Sequence, residues 1–156
     1  MTDFNVADLK GFITFRLARL QSRLNVQAIR LLRTHSDLTL TEWRVLALVA
    51  VMDDCNLSDL VRETDLDKGQ LSRGVTSLVN KKYLTSKVNK SDQRQNFLHL
   101  TDQGDALHAT VLPIMRRRQS DLTKGISQED LAAALRVVDH LHDVSAPLPE
   151  DENGNR

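Results

Sequence analysis

DKGQLSRGVTSLVNKKYLTSKVNKSDQRQNFLHLT, residues 67–101, joins a helix pattern directly to a strand-turn-strand pattern. Asp67 is placed to accept hydrogen bonds from the free amides of a first helical turn, and Gln70, three residues on, is placed to reach back as in a capping box. Leu71, Val75, Leu78 and Val79 recur at three- and four-residue steps and form one apolar stripe. The other side carries Gly69, Arg73, Thr76, Ser77 and Asn80, with Lys68, Gln70 and Ser72 at the N-terminal end and no carboxylate after the cap. Short hydrogen-bonding side chains with two cations suit a surface laid against base edges and phosphates. An ordinary solvated helix face has the same composition.

After this helix, Leu84 to Val88 and Asn96 to Leu100 each alternate as a short strand, and the polar residues 89–95 between them make a turn. The two strands are expected to pair as a hairpin whose tip presents Lys90 and Arg94, with Asp92 near enough to orient Arg94. A guanidinium on a protruding hairpin can enter a narrow minor groove, where the negative potential is enhanced. The plainer reading of Asp92 and Arg94 is a surface ion pair of little energetic consequence. From Lys68 to Arg94 there are seven Lys or Arg against the single acid Asp92, a local net charge of +6 in a chain whose 21 basic and 21 acidic residues cancel. A neutral total therefore conceals one cationic element able to neutralise phosphates and release counterions.

Working outward, 156 residues with 40% apolar and 27% charged composition describe a globular chain long enough to bury a core. No run of about 18 apolar residues is present, and MTDFNVADLK lacks the basic-then-apolar order of a signal peptide, so a cytoplasmic protein without membrane association is expected. The single cysteine, Cys55, fits a reducing compartment. Upstream, residues 6–35 read as one long helix, with Ile13, Leu17, Leu20, Leu24, Ala28 and Leu31 at helical spacing and Phe12, Phe15, Val26, Ile29 and Leu32 widening the apolar surface. A helix with more than one apolar face usually has more than one partner, and a second subunit is the natural candidate. Its arginines, Arg16, Arg19, Arg23, Arg30 and Arg33, read as a solvated face rather than as DNA contacts.

Thr39-Leu40-Thr41-Glu42 is a capping box opening a second helix, and Asn56 caps a short third one with Leu57, Leu60 and Val61 inward. Thr64-Asp65-Leu66 is the tight turn before Asp67. Two short helices so joined make a helix-turn-helix, and the hairpin makes it a winged one. Past the wing, Thr101 caps a long helix that Pro113 is expected to bend or break. Gly125 separates it from a last helix, capped by Ser127, in which Leu131, Leu135, Val138, Leu141 and Val144 form a stripe.

The order NLSDLVRETDLDKGQLSRGVTSLVNKKYL, a wing with Asp92-Gln93-Arg94, then Leu100-Thr101-x-x-Gly104 opening another helix resembles the MarR (multiple antibiotic resistance regulator) family of bacterial transcription factors. The resemblance spans about residues 8–143. It implies a mainly α fold with a small β-hairpin wing (α+β), a winged helix-turn-helix between long N- and C-terminal dimerisation helices. Its parts would be residues 1–36 for the N-terminal dimerisation helix, 37–101 for the DNA-binding lobe, 102–145 for the C-terminal dimerisation helices and 146–156 for a flexible acidic tail. It also implies a homodimer on a pseudo-palindromic double-stranded DNA operator, regulated by a small-molecule effector. Carried onto this chain, Lys68, Gln70, Ser72, Arg73 and Thr76 face DNA, Lys90 and Arg94 belong to the wing tip, and Asp92 supports Arg94. Dimerisation falls to Phe12, Ile13, Leu17, Leu131, Leu135, Val138 and Leu141.

Three positions depart from the family pattern. Gly69 stands where a hydroxyl residue is common, and Gly74 replaces a larger residue, weakening the helix by roughly 0.5–1 kcal/mol relative to alanine. Tyr83 stands where glycine usually ends the recognition helix. Elsewhere the residues point away from catalysis and cofactors. His35, His99, His108, His140 and His142 are scattered without zinc spacing, so no metal is expected. Asp53 and Asp54 beside Cys55 are expected to raise its pKa and keep the thiol inert. Neither Ser72 nor Ser77 has a histidine at a suggestive offset. The competing function is a winged-helix module that binds protein rather than DNA.

Overall fold

A computed structural model describes residues 6–88 and 96–145. The order is α1 (Val6–Gly11), α2 (Ile13–His35), α3 (Leu40–Val49), α4 (Leu57–Thr64), α5 (Lys68–Asn80), β1 (Leu84–Val88), β2 (Asn96–Leu100), α6 (Asp102–Thr123) and α7 (Gln128–Val144). Two compact units divide the chain, residues 1–116 and 117–156.

The core of the first unit is built where the apolar periodicities converge. Leu32 of α2, Val45 and Leu46 of α3, Leu60 of α4, Leu71 and Leu78 of α5, Leu84 and Leu98 of the hairpin and Val111 of α6 are all buried in one cluster. Trp43 joins it and stacks on His108, with ring centroids 5.7 Å apart. The local signals hold the elements in place. Thr39 and Glu42 exchange both bonds of a capping box at α3, and Asn56 with Asp59 does the same at α4. Between α4 and α5 the chain turns through Asp65 in the left-handed region (φ 53°).

The single N-terminal helix expected over 6–35 is two. Phe12 has extended geometry (φ −72°, ψ 127°), and its amide returns to Leu9 O, three residues back, at 3.1 Å, so the helix stops at Gly11 and restarts at Ile13. Glycine is the weakest helix former here apart from proline, and the Arg16 guanidinium accommodates the break by donating to Lys10 O at 2.8 Å. Of the expected dimer residues in this unit, Phe12 and Ile13 are exposed and Leu17 is half-buried. Pro113, in turn, does not end α6, which runs through it from Asp102 to Thr123.

In the second unit Ser127 caps α7 by accepting from the Asp130 amide, after a turn through Gly125 at φ +83°. Leu135 and Val138 are about half exposed, at 54% and 47%, while Leu131 and Leu141 are half-buried. No helix among the described residues is long and apolar enough to cross a membrane. The expected tail, 146–156, lies outside the described residues.

Candidate nucleic-acid interface

The candidate reading helix is α5. Asp67 caps it by accepting from the Gln70 amide at 2.9 Å, and Leu71, Gly74 and Leu78 are buried against the core. Lys68, Gln70, Ser72, Arg73 and Thr76 are all exposed on the side away from that stripe. Gly74 has a packing reason: a Cβ there would lie 3.3 Å from the Thr41 methyl carbon, so the missing side chain lets α5 approach α3 closely. That approach also redirects Gln70. Instead of reaching back to close a capping box, its Nε2 donates to Thr41 Oγ1 at 2.9 Å, leaving the side-chain oxygen as the group free for an outside donor. The Thr76 hydroxyl donates to Ser72 O at 2.9 Å, so its methyl and lone pairs are what it offers outward.

Ser77, counted with the polar outer side, and Lys81, counted in the cationic stretch, are half-buried and turn toward α3. Ser77 donates to Glu42 Oε1 at 2.6 Å, and Lys81 Nζ lies 3.0 Å from the same oxygen. Glu42 is only 3% exposed, and its other oxygen accepts from the Thr39 amide at 2.6 Å. Burial alone would raise the Glu42 pKa, but the bonds from Ser77, Thr39 and Lys81 together outweigh it and hold the carboxyl below its ordinary value. Lys81 also donates to Asp37 O at 2.8 Å, and Tyr83 Oη donates to Asp37 Oδ1 at 3.2 Å. Lys81 is therefore a neutralised strut, and among the described residues the cationic surface of this stretch is carried by Lys68, Arg73, Lys82 and Lys87. Sequence spacing could not pair Glu42 with residues 35 and 39 positions away.

The helix ends in a left-handed cap, one residue earlier than the family comparison placed it. Lys82 takes φ +64°, the Tyr83 amide returns to Leu78 O at 2.9 Å, and the Lys82 amide returns to Val79 O at 3.0 Å. Tyr83 itself needs no special geometry. Its carbonyl oxygen accepts from the Thr101 amide at 3.1 Å and closes against Gly104, where any Cβ would overlap it. The Thr101 hydroxyl donates to Lys82 O at 2.6 Å and accepts from the Gly104 amide at 3.1 Å. The Leu100-Thr101-x-x-Gly104 signature is thus the clasp that fixes the hairpin base to the end of α5.

The wing strands pair antiparallel in the register Leu84 with Leu100, Ser86 with Leu98 and Val88 with Asn96. Cys55 adds a bridge on the other edge, its carbonyl accepting from the Leu98 amide at 2.7 Å, which seats the start of α4 beside the wing. Cys55 is fully buried and its thiol is pushed up to about 11, by burial first and Asp59 second, rather than by Asp53 and Asp54. Lys90, Asp92 and Arg94 lie outside the described residues. Among the described residues no group of three or more His, Cys, Asp or Glu is placed to hold a metal ion.

Two short helices across a tight turn, the second with a cationic outer face, followed by a two-stranded hairpin, define a winged helix-turn-helix protein. The model of the MarR family matches residues 36–95. Over that stretch the chain is similar to the MarR family. A helix-turn-helix-type transcriptional regulator of Bacillus cereus is 25% identical over 144 residues, covering 90% of this chain and 95% of its own length. Two solved structures share the fold. The PcaV transcriptional regulator from Streptomyces coelicolor in complex with its natural ligand has a TM-score of 0.78 and 19% identity, over 92% of this chain and 100% of that one. FabT of Streptococcus pneumoniae in complex with DNA has a TM-score of 0.70 and 20% identity, over 85% and 94%.

Proposed function

We propose that this chain is a sequence-specific, double-stranded-DNA-binding transcriptional regulator that works as a homodimer on a pseudo-palindromic operator, as a repressor released by a small-molecule effector. The observation that carries the reading is the outer side of α5. Lys68, Gln70, Ser72, Arg73 and Thr76 are exposed together on a helix held rigidly from behind by Glu42 and Gly74, and no carboxylate follows its cap. Arg73 and Lys68 supply charge for phosphate or guanine, and the Gln70 oxygen and Ser72 hydroxyl supply hydrogen bonds to base edges. Arg94, with Lys90 and Asp92, takes the adjacent minor groove. The FabT complex with DNA and the PcaV complex with its ligand support the two halves of this reading by family likeness.

Two copies must hold their α5 helices about 34 Å apart, one turn of B-DNA, to engage successive major grooves. Exposed Phe12 and Ile13, and separately exposed Leu135 and Val138, support a second copy as the partner that covers them. For the effector, a hollow of about 500 Å³ bordered by Gln21, Trp43, Arg44 and Glu63 has the mixed apolar and polar lining of a small-molecule site. Anything that shifts α2 against α3 there changes the separation of the reading helices and so the affinity.

The test is equilibrium binding to genomic fragments recovered by selection, with salt titrated from about 50 to 200 mM. The affinity falls steeply over this range, and Arg73→Ala and Arg94→Ala each weaken binding while the dimer persists. A protein that binds no duplex at the lowest salt contradicts the proposal.

A further inference from the structure

Thr41 belongs to α3 and not to the reading helix, yet it is bonded to one of the side chains that the reading helix exposes. Gln70 Nε2 donates to Thr41 Oγ1 at 2.9 Å, across 29 positions of sequence. Both partners are held in place. Thr41 is half-buried just inside the capped start of α3, and its methyl carbon lies 3.3 Å from where a Cβ of Gly74 would stand, so the branched side chain is lodged against α5 with its hydroxyl toward Gln70. A side chain at position 74 would press on that methyl and stretch the bond, which gives the glycine there a second consequence. Gln70 is the third residue of α5, in the first turn, where a recognition helix meets base edges.

We propose that Thr41 is a positioning residue for base specificity, which fixes the Gln70 carboxamide in the one orientation that reads adenine; the inference rests on the DNA-binding reading above. An untethered glutamine can turn its amide over, exchanging oxygen and nitrogen, and so offers either pattern to a base. Thr41 removes that choice by accepting one of the two N–H bonds of Nε2. What remains is an acceptor, Oε1, beside a single donor. Adenine presents the matching pair in the major groove, an N6 amino donor and an N7 acceptor, and the two bonds form together. Guanine presents two acceptors, N7 and O6, so its O6 would meet Oε1 lone pair against lone pair. Cytosine and thymine each offer one polar group and at most one bond. Thr41 itself touches no base in this arrangement and acts through Gln70.

The experiment selects duplexes from a randomised library with the full chain and compares the recovered motifs. Gln70→Ala identifies the position in each half-site that Gln70 reads, as the one where base preference disappears. At that position the unsubstituted protein favours adenine over guanine by about tenfold in competition. Thr41→Val keeps the branched shape against Gly74 but has no acceptor, and it lowers that preference to about twofold or less. Preferences at the other positions and affinity for a random-sequence duplex stay as they were, which a general loss of structure would not allow. Thr41→Ser, which restores the hydroxyl, restores the preference, and thermal unfolding confirms that each variant is folded. If Gln70→Ala alters no position, if the position it alters favours a base other than adenine, or if Thr41→Val retains the full preference, the inference is wrong and the DNA-binding reading stands. If the unsubstituted protein binds no duplex, both fall.

Discussion

The Ser77 hydroxyl donates to the Glu42 carboxylate across 2.6 Å, tying the reading helix to the capped start of α3. Glu42 thereby does two jobs with one side chain. It closes the capping box through Thr39, and it anchors α5 through Ser77 and Lys81. A buried carboxylate is tolerated here because its oxygens accept three bonds, one of them from a cation.

Acid sensitivity follows from that arrangement. Glu42 titrates near 4.5 when unfolded and below that when folded. Its contribution to stability is therefore fully present above pH 4.5 and declines as the pH falls through the folded value, where the unfolded state binds the proton first. Ser77→Ala removes one of the bonds that depress the folded pKa, so it is expected to cost about 1–3 kcal/mol at neutral pH and to move the acid-unfolding midpoint upward. Circular dichroism across an acid titration checks this, and an unmoved midpoint rules it out.

Gly104 allows no side chain. Alanine there would drive its Cβ into the Tyr83 carbonyl oxygen, which is backbone and held by the Thr101 amide. Gly104→Ala is expected to destabilise by about 1–3 kcal/mol, read from denaturant midpoints. A variant as stable as the parent would mean that the clasp between the hairpin base and α5 can open without penalty.

Lys82 invites the opposite change. It holds φ +64° at the position where a helix-ending glycine is favoured. Lys82→Gly removes the strain of an L-residue in the left-handed region, partly offset by the greater freedom of the unfolded glycine, for a gain of about 0.5–1 kcal/mol. A rise in the thermal midpoint is the expected reading.

Cys55 is expected to be silent. It is fully buried, its pKa is about 11, and its carbonyl is used by the wing. At pH 7.5 the native protein should resist alkylation by iodoacetamide and react promptly once denatured, because the thiolate is both scarce and shielded. Mass spectrometry of timed aliquots distinguishes this from a reactive sensor thiol, which would be modified in the native state.

Association is expected to depend on α7. Leu135→Arg with Val138→Arg places two cations on surface that a dimer would bury, so sedimentation should show a shift to monomer with α-helical content retained. Weakened DNA binding should accompany it, since a single reading helix forfeits half of the operator contacts.

What the sequence determined by itself was whatever depends on near neighbours. The caps at Thr39, Asn56, Asp67 and Ser127, the strand limits 84–88 and 96–100 and the exposed residues of α5 all follow from spacings of two to four residues, and these are legible because hydrogen bonding and side-chain alternation at that range obey fixed geometry. Tertiary structure alone decided that Ser77 and Lys81 turn inward to Glu42, that Gln70 goes to Thr41, that Cys55 extends the wing and that Gly104 admits the Tyr83 carbonyl. Each of these depends on which distant segment arrives against the residue. A polar side chain reads the same in sequence whether it meets water or a buried carboxylate, and only close packing separates the two cases.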